Sequence, residues 1–147
     1  MRQIKYILIN DIVPDNSVSE SNHPHLCNGR YHYIVSRKSD VHHPIDTCQA
    51  GLIFPDPTWD LKEYNAFSIG IQYNGSIDPE DWDPSHPLRL SRNMKQYKTL
   101  IALLIKLRKR FPEAPILGVS EIYGRNIRPT DKMNNLRNEL YELYIKH

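Results

Sequence analysis

Seven histidines and two cysteines are the side chains of this 147-residue chain best able to do chemistry. Imidazole and thiolate are the ordinary ligands of zinc. Three of them alternate at two-residue steps in His23-Pro24-His25-Leu26-Cys27, and His42, His43 and Cys48 follow as possible further ligands. Such a set could chelate zinc, although its spacing matches no strong zinc signature and a polar surface loop is the commoner origin of such a run. A second group is Tyr31-His32-Tyr33, in a β-type run, where alternation puts Tyr31 and Tyr33 on one face and His32 on the other. Core packing is the commoner reason for that pattern. The chain has no Gly-rich phosphate loop, nucleophile elbow or His-Glu-x-x-His helix.

The elements that must position these groups belong to one domain spanning residues 1–147. With 39% hydrophobic and 24% charged residues the chain is neither disordered nor dependent on a disulfide framework, so Cys27 and Cys48 read as free thiols. Nineteen basic against 17 acidic side chains give a net charge of +2, too balanced to mark a nucleic-acid or anionic-membrane partner. No apolar run approaches the roughly 20 residues of a membrane span. The apolar stretch near the N-terminus is too short for a signal-peptide core. The expectation is a cytoplasmic product as synthesised, reaching any exterior target by lysis or another export route. Oligomeric state has no signature.

Ile4–Ile9 reads as a strand buried on both faces, and Tyr31–Ser36 as a second strand turning through residues 37–40 into a short one near Val41-His42. Phe54–Tyr64 reads as irregular, Phe67–Tyr73 as a third main strand, and Pro79–Pro87 as an acidic loop. Apolar residues at three- and four-residue steps from Met94 to Phe111 predict an amphipathic helix from about Ser91, its N-cap, to about Phe111, stopped by Pro112, with its basic residues mostly on the solvated face. Ile116–Val119 reads as a short buried strand, Tyr123–Pro129 as a loop, and the rest as a second helix from about Thr130.

Four local sequences, in order, carry a resemblance to a known family. They are Tyr6-Ile7-Leu8-Ile9-Asn10, Arg30-Tyr31-His32-Tyr33-Ile34-Val35, Asn65-Ala66-Phe67-Ser68-Ile69-Gly70-Ile71, and Arg108-Lys109-Arg110-Phe111-Pro112 leading to Ile116-Leu117-Gly118-Val119. Together they resemble the zinc amidases that include N-acetylmuramoyl-L-alanine amidases, phage amidase lysozymes and peptidoglycan recognition proteins. The resemblance covers most of the chain. It implies an α/β fold with a mixed central sheet of about five strands flanked by helices. It also implies a zinc ion held by two histidines and a cysteine or aspartate, which activates water to cut the amide joining N-acetylmuramic acid to L-alanine.

Where the resemblance implies those ligands, this sequence departs. The first histidine position falls on Asn10 and the second on Val119, and aligning a proline with Pro129 puts Arg128 at the third. Of the implied catalytic group only Tyr31 remains. The resemblance therefore implies a zinc-less member that binds a peptidoglycan fragment or muropeptide without hydrolysing it, with Asn10, Tyr31, Asn65 and Arg128 lining the cleft. Arg128 would supply positive charge there, or is simply a surface arginine. The alternatives are an active amidase with its metal relocated to His23, His25 and Cys27, and an interaction protein whose cleft is vestigial. His42, His43, His86 and His147 fall on none of the implied ligand positions.

Overall fold

The computed structural model of the chain describes residues 2–11, 30–54, 61–82, 85, 87–124 and 126–146. The chelating run His23, His25 and Cys27 lies outside the described residues, as do His86 and His147.

The β-branched runs form β1 (Tyr6–Asn10), β2 (Tyr33–Val35), β3 (Val41–His42), β4 (Ser68–Tyr73) and β5 (Ile116–Gly118). They make one mixed sheet in the order β3-β2-β4-β1-β5, in which β3 is antiparallel to β2 and all other neighbours are parallel. Among the described residues three helices flank it: α1 (Lys62–Phe67), α2 (Pro87–Arg110) and α3 (Asp131–Lys146). A two-stranded ribbon of β6 (Ile122–Tyr123) and β7 (Asn126–Ile127) follows β5. This is the α/β architecture the sequence implies. Among the described residues no helix is long and apolar enough to cross a membrane.

Alternation along the strands divides the core. Ile7, Leu8 and Ile9 are all wholly buried, as expected of a central strand covered on both sides. Ile7 and Ile9 join Ile69, Ile71, Tyr73 and Ile116 in a cluster packed by Leu100, Leu104 and Leu107 of α2 and by Met133, Leu136 and Leu140 of α3. Leu8 points the other way, into a smaller cluster with Tyr31, Ile34, Ile53, Tyr64 of α1, Leu117 and Ile122. Burial of each large apolar side chain contributes about 1.5–3 kcal/mol, so the first cluster holds the helices while the second shapes the opposite face. Gly70 matters there: a Cβ would meet Ile53 Cγ1 at 2.6 Å and Tyr31 Cδ1 at 3.2 Å.

Several expectations are corrected. Helix α2 starts at Pro87, placing Ser91 inside the helix rather than at its cap. Proline suits a first helical turn, where its missing N–H is no loss. The stretch ending at Tyr64 carries α1, and the supposed loop 123–129 contains β7. Val119 opens a 3-10 turn instead of ending a strand. Tyr31 and Tyr33 do not share a face, because the strand begins only at Tyr33; Tyr31 packs in the second cluster and Tyr33 against the first.

Candidate functional site

The parallel pairing of β1 with β5 sets Ile9 beside Gly118, so Asn10, the last residue of β1, and Val119, just past β5, lie at the same end of the sheet. Asn10 follows Leu8 in alternation and takes the face of the second cluster, against which half-buried Val119 also packs. Tyr31 arrives from the segment before β2, where the His32 N–H donates to the Gly70 carbonyl at 2.9 Å. The Asn10 Nδ2 donates to the Tyr31 hydroxyl at 2.9 Å. Two of the residues singled out from sequence are therefore in direct contact, with a third on the same apolar cluster.

Tyr31 is 3% exposed. Burial pushes its phenol pKa up, while the nearby Arg30 charge and the Asn10 hydrogen bond pull it back, and the net shift is upward. The phenol therefore keeps its proton at neutral pH. Its oxygen already accepts from Asn10, and among the described residues its proton has no acceptor. Arg30 lies with its guanidinium carbon 5.8 Å from the Tyr31 ring centroid, and its buried Nε–H is likewise without an acceptor among the described residues. Arg30 was not singled out from sequence. The available signal was its position immediately before Tyr31, where the resembled strand carries glycine.

The other candidates stand elsewhere. Asn65 in α1 accepts from the Phe54 N–H at 2.9 Å and donates to the Phe54 carbonyl at 3.0 Å, clamping the segment that carries Ile53 into the second cluster. Arg128 is exposed beyond β7, its guanidinium carbon 5.3 Å from the Tyr123 ring centroid and its N–H donating to the Glu121 carbonyl at 2.8 Å.

Two buried carboxylates, both overlooked in the sequence, fix this end of the sheet. Asp11 accepts from the Ser120 N–H at 2.9 Å and from the Ser120 hydroxyl, with Lys132 Nζ 3.5 Å away. Glu121 accepts from the N–H groups of Gly118 and Thr130 at 2.9 and 2.8 Å and from both terminal nitrogens of Arg137 at 2.7 and 2.8 Å. Between them Gly118 has no room for a side chain, since a Cβ would lie 2.6 Å from Asp11 Oδ2 and 2.9 Å from Met133 Cγ. Gly118→Ala is expected to cost about 1–3 kcal/mol through overpacking, read as a lowered urea midpoint.

The zinc that the resemblance implies does not suit these positions. At Asn10 there is an amide already bonded to Tyr31, at Val119 no donor atom, and at Arg128 a cation beside an aromatic ring. None supplies imidazole, thiolate or carboxylate. Among the described residues no group of three or more His, Cys, Asp and Glu is arranged to hold a metal. His32 has both ring nitrogens engaged: Nδ1 accepts from the Gly70 N–H at 3.0 Å, which leaves Nε2–H to donate to the Gln49 carbonyl at 2.6 Å.

No protein-family model and no curated protein matches this chain. Solved structures do match. One is an endolysin N-acetylmuramoyl-L-alanine amidase from Clostridium intestinale, with a TM-score of 0.61 and 14% identity, covering 95% of this chain and 85% of its own. Another is the endolysin of bacteriophage Ph2119 from Thermus scotoductus, with a TM-score of 0.59 and 16% identity, covering 95% of this chain and 86% of its own. At such low identity the likeness speaks to fold, and it agrees with the mixed five-stranded sheet and its flanking helices: the chain has an amidase-like fold.

Proposed function

We propose that the protein is a zinc-less relative of peptidoglycan amidases that binds a muropeptide at the Asn10–Tyr31 end of the sheet without hydrolysing it. The observation that carries this reading is the Asn10–Tyr31 hydrogen bond, which occupies the amide in holding a phenol whose proton has no acceptor among the described residues. Stem peptides are chains of amide carbonyls and carboxylates. A protonated phenol and the Arg30 guanidinium recognise such acceptors, whereas neither activates water. Arg128, just beyond the ribbon, is the second cation assigned to ligand carboxylate, and Asn65 contributes by holding the Phe54 segment in place.

The test is calorimetric titration of the chain, without added metal, with a muramyl peptide, accompanied by chromatography of the ligand afterwards. Saturable binding with the ligand recovered intact is the expected outcome. Tyr31→Phe removes one ligand hydrogen bond and is expected to weaken binding about three- to tenfold. No association at millimolar ligand, or an unaltered Tyr31→Phe titration, overturns the site. Cleavage of the lactyl–alanine amide, with near-stoichiometric zinc in untagged protein, would instead establish a relocated metal centre.

A further inference from the structure

Helix α2 is electrically unlike the rest of the molecule. Its 24 residues hold eight of the chain's 19 basic side chains and none of its 17 acidic ones. The remainder of the chain is consequently net acidic. Helix α3 packs on the same face of the sheet, yet mixes Asp131, Glu139 and Glu142 with Lys132, Arg137 and Lys146. Exposed Lys95, Lys98, Lys106, Lys109 and Arg110 fall within about 120° of arc when projected at 3.6 residues per turn. They form one stripe about 21 Å long from Lys95 to Lys109. Among the described residues none of the four lysines is in an ion pair.

The stripe is costly. Like charges three or four residues apart, as in Lys95 with Lys98 and Lys106 with Lys109 and Arg110, each destabilise a helix by about 0.2–0.5 kcal/mol, where acids at the same spacing would stabilise it. The helix dipole favours the cations of the last turn but does nothing for Lys95 and Lys98, more than three turns from the C-terminus. The apolar side of α2, from Leu100 to Leu107, is spent on the core, and among the described residues Met94 is the one large apolar side chain of the helix left exposed beside the stripe, too little for insertion into lipid.

We propose that this stripe binds a linear polyol-phosphate polymer of the kind attached to bacterial cell walls. A thin anionic chain can lie along one helix, whereas a nucleic-acid duplex carries two strands of phosphate, more than a single helical stripe can neutralise. The inference rests on the peptidoglycan reading and deepens it. Helix α2 covers the first core cluster, on the opposite side of the sheet from the Tyr31 cluster, so polymer and muropeptide occupy separate faces and both can be held together.

The experiment titrates the full chain with a glycerol phosphate polymer, in parallel with duplex DNA at equal phosphate concentration and with anionic phospholipid vesicles. Polymer binding is expected to weaken roughly ten- to hundredfold between about 50 and 200 mM salt. Replacing Lys95, Lys98, Lys106 and Lys109 together by glutamine is expected to weaken it at least about tenfold, with the thermal midpoint not lowered and the muramyl peptide titration unchanged. Equal polymer binding by the variant, or tighter binding of DNA or vesicles than of polymer, overturns the proposal. Polymer binding without muropeptide binding supports the stripe and removes the proposed Tyr31 site; the converse removes the stripe alone.

Discussion

Arg137→Ala is expected to destabilise the protein by about 3 kcal/mol, the consequence of removing the half-buried partner of a buried charge. Glu121 is wholly buried, and Arg137 meets it with both terminal nitrogens while also donating to the Ile116 carbonyl of β5 at 3.0 Å. Without the guanidinium, a desolvated carboxylate keeps only the N–H groups of Gly118 and Thr130. Burial pushes the Glu121 pKa up, but the Arg137 fork and the two N–H donors outweigh it, so the folded carboxyl is more acidic than its ordinary value of 4.5. Its stabilising contribution is then complete above pH 4.5 and is lost as pH falls through the lower folded value. Urea unfolding of wild type and variant at pH 7 measures the first effect. Replacing both partners, Arg137→Met with Glu121→Leu, should cost less than Arg137→Ala alone, because no charge is stranded. A loss under about 1 kcal/mol in the single variant would mean that water reaches Glu121 in its place.

This pair was invisible in the sequence for a physical reason. Ser120-Glu121 follows the short strand with no motif of its own, and nothing local says that the carboxylate turns inward to meet an arginine 16 residues on. The same is true of Asp11 and Ser120, which are 109 residues apart and meet only because β1 and β5 are neighbours. The strands themselves were legible, since the runs around Ile7, Ile34, Ile69 and Ile116 need burial on two faces. So was the body of α2, whose apolar period is unambiguous. Its start was not, because Ser91 offers a cap that Pro87 pre-empts with its fixed backbone angle. The six residues of α1 have no side-chain cap and too little length to display a period. At the site, the Asn10–Tyr31 contact joins two positions picked from sequence, while Asn65 turned out to be spent on backbone and Arg30 gave no motif of its own. Long-range register and the direction of polar side chains are what the sequence left open.

Histidine, the residue that first hinted at a metal, has a different consequence at position 32. His32 is wholly buried, and its Nδ1 lone pair is the acceptor for the Gly70 N–H in the middle of the sheet. Burial lowers its pKa below the ordinary 6.5; the Gln49 carbonyl and the Asp46 charge oppose that shift, and the Arg2 and His43 charges reinforce it. A proton on Nδ1 would confront the Gly70 N–H donor to donor, with the Arg2 guanidinium 2.8 Å from the other ring nitrogen. The unfolded chain thus takes up a proton that the folded one refuses. Stability is full above pH 6.5 and falls below it, with a slope approaching about 1.4 kcal/mol per pH unit, until the folded imidazole itself titrates. This loss begins about two units above that of Glu121, so the two separate along the pH axis. His32→Leu leaves the Gly70 N–H buried without an acceptor and is expected to cost about 1–3 kcal/mol at pH 7. His32→Gln keeps an acceptor that does not titrate, and its stability should be flat between about pH 6.5 and 5 where the wild type declines. Parallel slopes for wild type and His32→Gln across that interval would show that the buried ring is not what makes the fold acid-labile.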